Sequence, residues 1–203
     1  YPGDSANVAS GAVIMNGTTD VTGNYDITYV NGNLNVTKND TEITIASGDC
    51  ATTYDAQDHT CEEYTVTYGG DPVPECDGCE PAPGTHEYIL PTGDTVTVKD
   101  PVVLHDVDTV PNRFEYTITN DTNYTSVDTT WGTTQVDKRP VTITADSNSW
   151  MYDGESHSDD GWMDTPPAGL ADGETVTSVT VTGSITYPGD SANVASGAVI
   201  MNG

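Results

Sequence analysis

The chain has 203 residues, five of them Lys or Arg and 32 of them Asp or Glu, for a formal net charge of −27 at pH 7. A surface this acidic repels nucleic acid and anionic membrane, which excludes nucleic acid as a partner and favours a heavily solvated exterior. One Phe, three Trp and eleven Tyr stand beside abundant Thr and Val, residues that suit half-buried pleated strands; no stretch approaches the roughly 18 apolar residues of a membrane span.

Residues 1–17 (YPGDSANVASGAVIMNG) recur unchanged as residues 187–203, so the chain holds one 186-residue period of a tandem array plus an overlap. With no initiator Met or signal peptide, and a pattern cut at both ends, it reads as a window of a longer polymer. Residues 6–15 are too short and Gly-broken for more than one turn of helix. Tyr25-Asp26-Ile27-Thr28-Tyr29 and Leu34-Asn35-Val36 flank Asn31-Gly32, whose tolerance of positive φ predicts a hairpin. Apolar side chains then alternate along Glu42-Ile43-Thr44-Ile45, Tyr64-Thr65-Val66-Thr67-Tyr68, Thr95-Val96-Thr97-Val98, Phe114-Glu115-Tyr116-Thr117-Ile118 and residues 176–181, the period of strands buried on one face. The expectation is an all-β chain.

A second, diverged repeat lies inside the period. Ile43-Thr44-Ile45, Tyr54-Asp55 and His59 align with Val141-Thr142-Ile143, Tyr152-Asp153 and His157 at a constant spacing of 98 residues. Gly93-Asp94-Thr95-Val96-Thr97 answers Gly173-Glu174-Thr175-Val176-Thr177, and Asn123-Tyr124 answers Asn24-Tyr25. The chain therefore divides into the C-terminal part of one module (1–38), a complete cysteine-containing module (39–138), and the N-terminal part of the next (139–203), of the same type as 1–38. Modules of this size suit independently folding β-sandwiches of immunoglobulin-like or β-grasp-like character. Very short junctions join them end to end as a stiff rod.

The series Val141-Thr142-Ile143-Thr144, Tyr152-Asp153-Gly154, Gly169-Leu170-Ala171-Asp172-Gly173-Glu174-Thr175, and Gly23-Asn24-Tyr25-Asp26-Ile27-Thr28-Tyr29-Val30-Asn31-Gly32-Asn33-Leu34-Asn35-Val36-Thr37 resembles the YDG/MBG tandem repeats of bacterial surface adhesins. The first module departs from it, with Ala56 in place of the signature Gly and an insertion at 69–85. The resemblance implies an extracellular β-rich stalk or adhesive module at the cell surface, with no enzymatic role.

Four cysteines lie in one module. Cys50 and Cys61 bracket the Tyr54-Asp55 turn and can face each other across a hairpin, while Cys76 and Cys79 can close a tight loop. The competing arrangement is a four-Cys zinc site, since one CxxC is present; an extracellular setting favours disulfides. A redox-active CxxC needs basic neighbours, and Glu75, Asp77 and Glu80 are the opposite. Those three carboxylates, and separately Asp159, Asp160 and Asp164, are the densest acidic clusters, candidates for a weakly held calcium ion against the plainer reading of solvated charge. No other cofactor is expected. Asn16, Asn35, Asn39, Asn120 and Asn123 each begin a glycosylation sequon. Lys38, Lys99 and Lys138 are the candidates for an intramolecular isopeptide bond, with plain solvated lysines as the alternative. His59 and His157 repeat in equivalent turns, and a repeated His in a repeated turn points to structure more than to a catalytic base.

These readings converge on a structural repeat of an extracellular filament or adhesin stalk whose partners are neighbouring repeats of the same polymer. The alternative is an adhesive module in which the 69–85 insertion binds a glycan or a host or matrix protein; that insertion has no aromatic residue between Tyr68 and Tyr88.

Overall fold

Alternation of Val, Ile and Tyr with Thr and acidic residues gives strands wherever a partner is within reach. The computed structural model describes residues 2–79, 81–99, 102–163 and 169–202. In chain order the strands are β1 (Gly3–Asn7), β2 (Met15–Asn16), β3 (Thr19–Asp20), β4 (Gly32–Val36), β5 (Ile43–Ser47), β6 (Cys50–Thr53), β7 (Tyr64–Tyr68), β8 (Asp71–Val73), β9 (Thr85–Ile89), β10 (Thr95–Lys99), β11 (Asp108–Pro111), β12 (Glu115–Ile118), β13 (Val127–Thr130), β14 (Thr133–Asp137), β15 (Glu174–Thr182) and β16 (Val194–Asn202). Single 3-10 turns occupy Thr22–Asn24 and Asp121–Asn123. There is no α-helix among the described residues, so the chain is nearly all β.

Two packing units form, each discontinuous in sequence. The first comprises Tyr1–Ala46, Tyr64–Lys99 and Glu115–Thr130; the second comprises Ser47–Glu63, Asp100–Phe114 and Trp131–Gly203. Each therefore draws on residues inside and outside 39–138.

In the first unit, β13-β5-β7-β8 form one sheet and β12-β10-β9 another, with the small pairs β1-β4 and β2-β3 beside them. β13 runs parallel to β5, Val127 opposite Ile43 and Thr129 opposite Ile45. Ile43, Ile45, Val66, Val96 and Val98 are fully buried, and Tyr88, Leu90 and Tyr124 nearly so. Each such aliphatic side chain contributes about 1.5–3 kcal/mol by leaving water. Thr44, between the two isoleucines, is only half-buried, as the period of two requires. Asp94 fixes the rim of this core: its carboxylate accepts hydrogen bonds from the Tyr124 hydroxyl at 2.6 Å and from Asn120 Nδ2 at 2.8 Å.

In the second unit, β14 lies between β11, antiparallel to it, and β6, parallel to it. Val136 and Thr134 are buried on β14, and Cys61 of the same unit is buried as well. Asn112 is also buried and acts as a polar staple. Its Nδ2 donates to the carbonyls of Gly48 (3.3 Å) and Cys61 (3.2 Å), and its carbonyl accepts from Ser47 Oγ at 2.6 Å. Gly132 is required here, because a Cβ would run into the carbonyl of Gly48. β15 and β16 form a long antiparallel hairpin with register irregularities around Ser178.

The Asn31-Gly32 hairpin does not form. Residues 25–31 belong to no strand, and β4 pairs instead with β1, Leu34 opposite Ser5. Neither Asn31 nor Gly32 takes positive φ, so the backbone never makes the tight turn that dipeptide permits. Cys50 and Cys61 likewise do not face each other across a hairpin: the ladder partner of β6 is β14, and Cys61 stands outside the strands.

The identical segments 1–17 and 187–203 adopt different conformations. In the first copy residues 3–7 form β1, while residues 8–14 are in no strand. In the second copy residues 189–193, identical to 3–7, are in no strand, while residues 194–202, identical to 8–16, form β16. Each half is a strand only where its partner is present: β4 for the first half, β15 for the second.

Candidate functional site

Residues 148–152 depart from alternation. Trp150, Met151 and Tyr152 are three consecutive large apolar side chains, and all three are exposed. With His157 and residues 185–191 they line a cleft of about 390 Å³. The Asp153-Gly154 turn builds it. Asp153 Oδ1 accepts the backbone N–H of Glu155 at 2.9 Å and lies 3.0 Å from His157 Nε2. The N–H of Glu155 and the His157 ring hold the Asp153 carboxyl below the usual carboxylate range. His157 exchanges backbone hydrogen bonds with Ile185, His157 N–H donating at 2.9 Å and Ile185 N–H at 3.0 Å, which brings the 185–191 segment alongside. Trp150 then stacks on the fixed His157 ring, with centroids 5.2 Å apart and planes 9° from parallel, and Tyr152 stacks on Tyr187 at 6.4 Å.

The same lock occurs in the other repeat. His59 Nε2 lies 2.7 Å from Asp55 Oδ1, the Gln57 N–H donates to that oxygen at 3.0 Å, and His59 exchanges backbone hydrogen bonds with Leu104. The His59 side chain is the main cause that holds the Asp55 carboxyl low. Two occurrences with one geometry make this Asp–His pair an element of the fold: the imidazole closes a turn and anchors a second segment. Chemically, the cleft offers aromatic faces and a short polar rim, an arrangement for stacking or strand contact.

Both cysteine pairs are disulfides, Cys50–Cys61 and Cys76–Cys79, each with a Cα–Cα distance of 5.6 Å. That removes the four-Cys zinc alternative, since no free cysteine is left among the described residues. Among the described residues no group of three or more His, Cys, Asp or Glu is placed to hold a metal ion. Glu75 Oε1 instead lies 2.9 Å from His86 Nδ1, Asp77 is exposed on the Cys76–Cys79 loop, and Asp159 Oδ1 accepts the Gly161 N–H at 2.8 Å. Asp160 is exposed; Glu80 and Asp164 lie outside the described residues. Of the sequons, Asn16, Asn35 and Asn120 are exposed, whereas Asn39 and Asn123 are half-buried, and Asn39 Nδ2 donates to the Tyr68 hydroxyl at 2.6 Å. The 69–85 insertion forms β8 and the disulfide loop, its Cys76 N–H donating to the Glu87 carbonyl. No helix among the described residues is long and apolar enough to cross a membrane.

The cleft was not read from the sequence, although a signal exists. Thr52-Thr53-Tyr54 in one repeat becomes Trp150-Met151-Tyr152 in the other at the 98-residue spacing, an exchange of strand polarity for bulk. Comparison with protein-family models, with curated sequences and with solved structures finds no match.

Proposed function

We propose that the chain is a structural repeat of an extracellular filament or adhesin stalk, built from immunoglobulin-like or β-grasp-like modules joined end to end as a rod, of the kind its YDG/MBG-like signatures suggest. The carrying observation is the 17-residue repeat whose first half pairs downstream and whose second half pairs upstream. A segment with two such roles, present at both ends of a period, suits a chain in which every junction belongs to two neighbouring stretches of fold. The disulfides fit a surface outside the reducing cytoplasm, and the charge of −27 keeps a long fibre solvated. The role is mechanical rather than enzymatic.

Electron microscopy of the native material, with and without a chelator, tests this. The expected result is a continuous thin fibre with two globules per axial repeat, unchanged by chelator. Isolated particles would refute the rod, and chelator-induced fraying would transfer its cohesion to bound calcium. A second reading, glycan binding, is favoured by the stacked Trp150 and Tyr152–Tyr187 faces of the cleft. Binding to a glycan array that Trp150→Ala abolishes would establish it.

A further inference from the structure

We propose that the open edges left by residues 139–202 of one copy are closed by residues 3–37 of a second copy of this chain, through two parallel strand pairings. The inference deepens the filament reading and rests on the repeat architecture behind it.

The template is present in the chain. β5 and β6 are each covered by a parallel strand that arrives from far along the sequence: β13 on β5 and β14 on β6. At the 98-residue spacing, the equivalents of β5 and β6 are residues 141–145 and 148–151. Neither forms a ladder: residues 141–144 and 148–151 belong to no strand. The equivalents of β13 and β14 lie at the other end of the chain. Asn24-Tyr25 matches Asn123-Tyr124 at a spacing of 99 residues, and Gly32 and Lys38 match Gly132 and Lys138 at 100, so one residue is missing between Tyr25 and Gly32. With that gap before Ile27, which sets the alternating Ile27 and Tyr29 on Val127 and Thr129, residues 27–30 fall on β13 and residues 33–37 on β14. Residues 27–30 also belong to no strand. The 3-10 turns Thr22–Asn24 and Asp121–Asn123, just before these segments, already match in conformation.

Burial tells the same story. Tyr124 is 5% exposed, and its counterpart Tyr25 is 58% exposed; Val136 is 1% exposed, and its counterpart Val36 is 60% exposed. Trp150, whose equivalent Thr52 is half-buried in β6 opposite Val136, is exposed. The apolar face that the complete repeat buries is split here between two places, each lacking the other.

Register follows from the template. Val127 opposite Ile43 transfers to Ile27 opposite Val141, Thr28 opposite Thr142 and Tyr29 opposite Ile143. Thr134 opposite Cys50 transfers to Leu34 opposite Asn148, and Val36 then falls opposite Trp150. β4 is ready for this, because β1 already occupies its other flank as β11 does for β14, both antiparallel. Residues 189–193, which form no strand in the first copy, are the duplicate whose strand role β1 of the second copy takes. Donor and acceptor are different segments of the chain, so the contact is head-to-tail and each copy can both give and receive strands.

Mixed cross-linking of full-length chains tests the pairing. A Thr28→Cys chain carrying a size tag is mixed with an untagged Thr142→Cys chain and mildly oxidised; both positions are exposed, so folding is little disturbed. Directly opposed residues on neighbouring strands meet disulfide geometry. The expected product is the tagged–untagged heterodimer, in several-fold excess over a control mixture of Tyr29→Cys with Thr142→Cys, because a one-residue shift turns the side chain to the opposite face. The double variant T28C/T142C is expected to give a multimer ladder. Heterodimer no more abundant than in the control would overturn the proposal, as would a double variant that yields only internally cross-linked monomer. Rods in micrographs without the heterodimer would sink this pairing and leave the filament reading standing; the heterodimer without rods would do the reverse.

Discussion

Replacing Cys50 and Cys61 together by Ala removes the staple of the second packing unit. The two residues are 11 apart, and restraining a loop of about 12 residues in the unfolded chain is worth about 3 kcal/mol by the chain-entropy relation. The folded state loses little by comparison. Cys61 is buried against the Gly48 carbonyl, Sγ at 3.7 Å, and deleting its one sulfur atom leaves only a small void. Cys76 and Cys79 are three apart in an exposed loop; the same relation gives about 2 kcal/mol at most for them. Urea unfolding followed by circular dichroism is the assay. With a slope of about 1–3 kcal/mol per molar urea, the C50A/C61A midpoint should fall by about 1–3 M. The C76A/C79A midpoint should fall by less, and reduction of the wild type, which opens both bridges, should lower it at least as far as C50A/C61A does. A C50A/C61A shift below that of C76A/C79A would refute the loop-restraint argument, since it would mean that loop length is not what sets the contribution.

Three further outcomes follow from local geometry. Ala56 holds φ +63 where the other repeat has Gly154 at +84, so Ala56→Gly should raise stability by roughly 0.5–1 kcal/mol, the left-handed strain relieved less the unfolded-chain entropy gained; a lower urea midpoint would contradict this. Asn112→Ala strands the Gly48 and Cys61 carbonyls, and at about 1–3 kcal/mol per buried unsatisfied group the unit should lose about 2–6 kcal/mol; a loss under about 1 kcal/mol in the same assay would show that water replaces the side chain. Burial pushes the phenols of Tyr88 and Tyr124 from 10.0 up to about 12, with Glu75 and the Asp94 acceptor adding to the shift. Since these folded values are raised, their stabilisation is complete below pH 10 and is lost as pH rises through 12, so urea midpoints should drop steeply between those values and less steeply in Tyr124→Phe.

Strand positions were legible where side chains alternate and a partner lies within reach. β5, β7, β10, β12 and β15 fall on the alternating runs, because period-two burial is written locally. Pairing was not legible. β13 finds β5, and β14 finds β6, across more than 80 residues, and no local pattern encodes a parallel partner at that distance. The Asn31-Gly32 expectation failed for this reason: local turn chemistry permits a hairpin, but the strand on one side pairs with β1 and the segment on the other has no partner. The disulfides were legible by spacing, though their setting was not, since Cys61 proved to be core. The aromatic cleft escaped because Trp150-Met151-Tyr152 breaks the alternation that was being sought.

The parallel pairings bear on the mechanical role. β5 and β6 lie early in their repeat, and β13 and β14 lie late, yet each early strand runs in the same direction as its late partner. Tension applied along the polypeptide draws the early strand back toward its own N-terminus and the late strand toward its C-terminus. Along a parallel pair those directions oppose each other on the strand axis, so the ladder's evenly spaced hydrogen bonds are sheared together instead of opened singly. An antiparallel hairpin such as β15-β16, loaded from its two open ends, would instead unzip from one end. Such a ladder suits the load-bearing role proposed above, and the 17-residue repeat adds antiparallel contacts at both ends of the period, its first half pairing with β4 and its second half with β15.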